Sequence, residues 1–119
     1  MSRSVLVVDD DASFRDLAAR VLTGWGHVVI GAAGSVEEAL ARAAELRPDT
    51  ALVDIGLPDG DVFSLTQQLL ALPGPPRVVL ISSDSDPANA PAARRAGACG
   101  FFSKAELSGG ALRQLIEED

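Results

Sequence analysis

The chain has 119 residues, 47% hydrophobic and 23% charged, enough to bury a core without staples and too well balanced for disorder. Seventeen acids against ten bases give a net charge of −7, a sign that repels phosphate backbones and argues against direct nucleic-acid binding. The single Cys99 and single His27 exclude an internal disulfide and poorly support a zinc enzyme. No apolar run reaches the ~18 residues of a membrane span, and the composition suits a reducing cytoplasm.

The first apolar run, Val5-Leu6-Val7-Val8, is short and β-branched and predicts a buried strand. Phe14, Leu17, Ala18, Val21 and Leu22 then recur at helical spacing, and Gly24 or Gly26 can end that helix. Trp25 reads as a local packing anchor and His27, with no ligand-like neighbour, as a solvated residue. Val28-Val29-Ile30 predicts a second strand. Ser35 and Glu38 form a capping box for a second helix with the stripe Val36, Ala39, Leu40 and Ala43. Ala51-Leu52-Val53 is a third strand. Val62, Leu65, Leu69 and Leu72 mark a third helix closed by Pro73 and Gly74.

Val78-Val79-Leu80-Ile81 is a fourth strand, followed by a long, mobile connection from Ser83 to about Ala90. Pro91 either opens a short fourth helix or breaks one begun at Pro87. Phe101-Phe102 is a fifth strand whose two rings point to opposite faces, with Cys99 before it read as a small buried hydrophobe. Ser108 caps a last helix with Leu112, Leu115 and Ile116 buried. Glu117-Glu118-Asp119 puts acids at the unfavourable end of that helix, which predicts fraying or a longer natural chain. No linker or repeat interrupts residues 1–119, so they read as one domain.

Strands alternating with helices mean a parallel, doubly wound α/β sheet covered on both faces, with any site at the carboxyl ends of its strands. Those ends carry Asp9-Asp10-Asp11, Asp54, Ser82-Ser83 and Ser103-Lys104. Crowded carboxylates repel one another, and a hard divalent cation such as Mg²⁺ stabilises them. Lys104 offers a point charge for phosphate and Ser82 a hydroxyl donor, while an Asp can form an acyl phosphate. Lys104 is the only Lys in a chain that otherwise uses Arg, a compact ammonium where a guanidinium fork fits less well. Each piece has a plain alternative, since Asp commonly caps helices and Ser satisfies backbone groups; their joint occurrence at four strand ends points to a phosphoryl site.

The run Val5–Asp10, the segment Leu52-Val53-Asp54-Ile55-Gly56-Leu57-Pro58-Asp59-Gly60 and the stretch from Ala96-Gly97-Ala98 to Lys104 resemble the receiver domain of two-component response regulators, over essentially the whole chain. The resemblance implies a CheY-like, flavodoxin-like (βα)5 sheet of strand order 2-1-3-4-5. It makes Asp54 the phospho-acceptor for a sensor histidine kinase. Mg²⁺ would be held by Asp10, Asp54 and the Gly56 carbonyl, with Asp9 acting largely through water. Ser82 matches the switch hydroxyl, Lys104 the invariant lysine and Phe101 the aromatic that turns inward. The output surface is then helix four, strand five and helix five, biasing an effector or DNA-binding domain outside these residues, with a homodimer as a further possibility.

One departure stands out: the family lysine is usually followed by proline, and here Ala105 follows. A cis bond at a non-proline residue costs about 2.5–4 kcal/mol, so a trans bond and a reshaped loop are expected. Lys104-Ala105-Glu106-Leu107-Ser108 is similar to receivers joined to LuxR-type helix-turn-helix domains. Gly56 and Asp84 occupy positions that tune loss of the phosphoryl group in this family. Two other readings compete. One is a degenerate receiver used only for phosphate-independent contact. The other is a haloacid dehalogenase-type phosphohydrolase, which requires an Asp where Gly56 stands; the receiver resemblance instead implies no enzyme beyond assistance in its own phosphorylation and dephosphorylation.

Overall fold

A computed structural model of the chain describes residues 2–83 and 89–118. Five strands, β1 (Ser4–Val8), β2 (Val28–Ala33), β3 (Thr50–Asp54), β4 (Arg77–Ser82) and β5 (Gly100–Ser103), alternate with five helices: α1 (Ala12–Gly24), α2 (Val36–Leu46), α3 (Val62–Leu70), α4 (Asn89–Ala96) and α5 (Gly110–Glu117). A one-turn 3-10 helix, Lys104–Glu106, joins β5 to α5. All strand pairs are parallel, in the order β2-β1-β3-β4-β5, the doubly wound sheet that the sequence predicts.

Strand alternation divides the core cleanly. Val5, Val7, Leu52, Val79 and Ile81 meet Phe14, Ala18 and Leu22 of α1 and Leu112 and Ile116 of α5. Leu6, Val8, Ala51, Val53, Val78 and Leu80 face the other way, onto Ala39, Ala43, Leu65, Leu69 and Ala93 of α2, α3 and α4. The central strands are thus buried on both faces, which is why they read as unbroken apolar runs. β2 and β5 lie at the sheet's edges and are only half-buried, with Val28 53% exposed; their expected full burial does not hold. β2 also runs on through Gly31 to Ala33, beyond the apolar run, because these residues pair with Leu6, Val7 and Val8 of β1; a Cβ at Gly31 would lie 2.6 Å from Leu46 Cδ1. A bare glycine there lets α2 close onto the sheet.

Helix ends follow the sequence with local corrections. Asp11 caps α1, accepting from Ser13 N–H, and Asp61 caps α3, accepting from Phe63 N–H. Ser35 accepts from Glu38 N–H as expected, while the Glu38 carboxylate reaches back to Gly34 N–H rather than to Ser35. Leu17 is 49% exposed, at the margin of a stripe centred on Phe14, Ala18 and Leu22. α4 is continuous from Asn89, with Pro91 in its first turn where a missing N–H costs little. The expected long connection lies, apart from its ends, outside the described residues. Gly109, not Ser108, precedes α5.

The expected fraying of α5 meets two arginines instead. Arg77 Nη1 donates to the carbonyls of Leu115 and Glu118, each at 2.8 Å, and Arg3 Nη2 donates to those of Glu117 and Glu118. These cations satisfy orphan carbonyls and the negative end of the helix dipole from outside the helix. His27 is 3% exposed, not solvated. Its Nδ1 accepts from Arg3 N–H at 3.1 Å, so Nε2 carries the proton and donates to Glu117 Oε2 at 3.0 Å. Cys99 is exposed, because Ala98 takes the inward place against the core and Cys99, just ahead of β5, faces outward. Trp25 packs as expected, beside Val21 and with the Arg113 guanidinium 5.8 Å from its ring.

Gly97 turns the chain from α4 into β5 at a φ of +103°, where a Cβ would also lie 2.6 Å from Leu70 Cδ1. Gly97→Ala is expected to lower stability by about 1–3 kcal/mol through backbone strain and overpacking. Urea unfolding checks this; an unchanged midpoint refutes it.

Candidate functional site

The carboxyl edge of the sheet is built by the strands that end there. Asp9 continues β1 past its last apolar residue, its N–H donating to Ala33 of β2 at 2.9 Å. Asp54 is the last residue of β3, and Ile55 N–H extends that ladder to Ile81 of β4. Lys104 follows β5 and opens the one-turn helix, where Ser103 N–H donates to Glu106 Oε1 at 3.0 Å. The described residues contain no cis peptide, so Lys104–Ala105 is trans as expected.

The three side chains converge. Lys104 Nζ lies 2.7 Å from Asp9 Oδ2 and 3.5 Å from Asp54 Oδ2. Asp9 is fully buried and Asp54 6% exposed. Asp9 Oδ1 accepts from Asp11 N–H, and Asp54 Oδ1 from Gly56 N–H at 3.1 Å. Arg15 donates to the Asp9 carbonyl, tying α1 to the end of β1. Sequence reasoning marked neither Arg15 nor Phe14 as a site residue. The Phe14 ring centroid is 4.3 Å from Lys104 Nζ; α1 periodicity marked it as core, and nothing in its spacing tells that its face meets a cation.

Electrostatics follow from this crowding. Burial pushes the Asp54 carboxyl above the usual carboxylate range, and the Asp9 charge pushes the same way, while Gly56 N–H and Lys104 pull it back. Burial acts to lower Lys104, but Asp9 and Asp54 more than offset it and hold the ammonium above its ordinary value. Asp10 is exposed, and carboxylate oxygens of Asp9, Asp10 and Asp54 all lie within 4.8 Å of one another. Asp9 and Asp54 face the ammonium with Asp10 beside them, and among the described residues Asp9 Oδ2 has no hydrogen-bond partner besides Lys104. That donor set fits a hard divalent cation coordinated by oxygen.

Ser82 ends β4 and is 3% exposed. It lies in register with Ser103, one residue beyond the Asp54–Ile81 pair. By strand alternation it belongs with Val78 and Leu80, on the α4 side, whereas Asp54 continues the Leu52 side. Phe101 packs on that same α3–α4 side and Phe102 on the α1–α5 side, which settles which ring shares the face of Ser82. A shallow cleft of about 160 Å³ runs beside Phe101, Ala93 and Arg94. A Cβ at Gly56 would stand 3.6 Å from both Asp54 oxygens, so its absence leaves the carboxylate open on that side. Asp84 lies outside the described residues.

Residues 5–117 match the family model of the response regulator receiver domain. The chain belongs to that family. It is 41% identical over 106 residues to a protein-glutamate methylesterase/protein-glutamine glutaminase of Anaeromyxobacter dehalogenans, covering 88% of this chain and 30% of that protein. It is 40% identical over 91 residues to the DNA-binding transcriptional activator DevR/DosR of Mycobacterium tuberculosis, covering 76% of this chain and 41% of the relative. The NarL signal receiver domain of Mycobacterium tuberculosis superposes with a TM-score of 0.84 at 31% identity, covering 98% of both chains. The chain spans less than half the length of those two curated relatives, so their activities belong to whole proteins of which a receiver is one part. Receiver homology places the chain in two-component signalling, among relatives that regulate transcription. Among the described residues no helix is long and apolar enough to cross a membrane.

A carboxyl held above its usual value keeps its proton more readily in the folded chain, so ionised Asp54 subtracts stability above that raised value. The loss disappears as pH falls below the unfolded value. In metal-free buffer Asp54→Asn is therefore expected to melt higher than wild type near pH 7, with the gap closing toward pH ~4. Melting temperatures across that range check it; a variant less stable at pH 7 contradicts the sign.

Proposed function

We propose that residues 1–119 form one phospho-accepting receiver unit in which Asp54 takes a phosphoryl group from a sensor histidine kinase. The observation that carries this reading is the Lys104 ammonium held between the buried Asp9 and Asp54 carboxylates at the ends of separate strands. Ionised Asp54 attacks phosphorus; the new P–O bond forms as the P–N bond of the phosphohistidine breaks, and the bonding pair leaves with the imidazole. Lys104 then faces the phosphoryl charge, about −1.5 to −2, which replaces a single carboxylate charge. Ser82 supplies a hydroxyl donor to a phosphoryl oxygen.

Mg²⁺ is the cofactor, with Asp9, Asp10, Asp54 and the Gly56 carbonyl as the groups that would hold it. Bound there, it supplies positive charge to the transferring phosphoryl oxygens. The chain's own part is to keep the nucleophile aligned and reachable. Gly56 N–H holds one Asp54 oxygen, and the missing side chain at Gly56 leaves the carboxylate open to the phosphodonor.

Output runs through Ser82 and Phe101. Both lie on the α4 side of the sheet, so a Ser82 drawn toward the phosphoryl group vacates space on the face where Phe101 packs. An inward Phe101 then alters the surface of α4, β5 and α5, a two-state bias of an existing fold. An effector outside these residues, attached or separate, reads that surface, and the transcription regulators among the relatives support a transcriptional output; pairing of two receivers is one way to pass the signal on.

Intact mass after incubation with acetyl phosphate and Mg²⁺ tests the proposal. One phosphoryl increment is expected, lost in Asp54→Asn and without Mg²⁺. No increment, together with no beryllofluoride binding, overturns it in favour of a phosphate-independent interaction module.

A further inference from the structure

The Lys104 ammonium is enclosed on three sides. Two are carboxylates, Asp9 Oδ2 at 2.7 Å and Asp54 Oδ2 at 3.5 Å. The third is the Phe14 ring, its centroid 4.3 Å from Nζ, well inside the ~6 Å over which a ring quadrupole attracts a cation. Phe14 is 8% exposed and belongs to the apolar cluster of Val7, Ile81 and Leu107. It cannot swing away without opening the core.

Lys104 needs such a support. Its stem has four rotatable carbons, and its backbone stands at the end of an edge strand, in one helical turn closed by Leu107 N–H on the Lys104 carbonyl at 3.2 Å. A polar partner on the third side would compete for the ammonium protons. An aromatic face attracts the charge without offering a lone pair, so the N–H groups stay directed at carboxylate or phosphoryl oxygens. We infer that Phe14 is a positioning residue for phosphoryl transfer, holding the Lys104 ammonium between Asp9 and Asp54. The inference rests on the reading of Asp54 as phospho-acceptor.

The placement is built into one segment. Asp9 and Asp10 supply the acids, Asp11 caps α1, and Phe14 follows three residues later on the buried face of that helix. The helix start that orders the acids therefore also aims the ring. If Phe14 were only core filler, an aliphatic of similar bulk would serve equally well. The cation–π role requires that it does not.

Because Lys104 is the sole Lys, lysine-specific ¹³C,¹⁵N labelling gives one side-chain signal. In metal-free wild type its ε-methylene protons are expected upfield and inequivalent, under the ring. Unshifted, equivalent protons would overturn the inference without recourse to any variant. Phe14→Leu and Phe14→Met should lose the displacement, while Phe14→Tyr keeps it. With acetyl phosphate and Mg²⁺, Leu and Met are expected to slow phosphorylation by about 3- to 30-fold, the worth of such a contact, and Tyr to restore it. Amide spectra of the variants identify those that retain the native fold. A folded Leu or Met variant phosphorylated at the wild-type rate refutes the role of Phe14. A wild type that takes up no phosphoryl group and binds no beryllofluoride refutes instead the reading of Asp54, and leaves the Lys104 signal as it was.

Discussion

Everything at the carboxyl edge depends on one ammonium among buried carboxylates. Asp9 is wholly shielded from solvent and sits near Asp54, an arrangement that would be costly for two like charges without Lys104 between them. One cation does not neutralise three acids, so the site keeps an unspent negative charge. Under the proposed function, that residue of charge is what would receive a divalent ion and respond to a phosphoryl group. A fully balanced cluster would be inert to both.

The sheet explains how so few residues achieve this. Asp9, Asp54 and Lys104 stand 45 and 50 residues apart along the chain, yet parallel pairing brings the ends of their strands to one edge. Period-two alternation then sorts them. Asp54 continues the face toward α1 and α5, whereas Ser82 and Phe101 belong to the face toward α4. The nucleophile therefore lies on one side of the β-layer and Ser82, Phe101 and α4 on the other, and under the proposed function a group on Asp54 would reach the far side through Ser82 at its rim.

Most of this was legible in the residues. Central strands announce themselves because burial on both faces demands continuous Val, Leu and Ile, and the site residues announce themselves because they are polar at the ends of such runs. Edge strands were less legible: β2 extends through Gly31-Ala32-Ala33, small residues whose strand state is set by pairing with Leu6, Val7 and Val8 of β1. His27 and Phe14 escaped for a related reason. Their partners, Glu117 and Lys104, lie 90 residues away in each case, and neither local periodicity nor neighbouring residue types carry that information. Cys99 was misplaced because composition predicts burial of a thiol on average, while the connection from α4 into β5 turns Ala98 inward and Cys99 outward.

The arginine clamp on α5 has a topological corollary. Arg3, just before β1, bonds the carbonyls of Glu117 and Glu118, so the two ends of the described chain meet at the amino edge of the sheet. The acids and Lys104 occupy the opposite edge. A short loop could close the backbone into a ring there, and new ends could be opened in an exposed turn such as that after Leu72, with the phosphoryl site undisturbed. For this fold, where the chain starts is a matter of wiring, and the chemistry depends only on which strand ends share a rim.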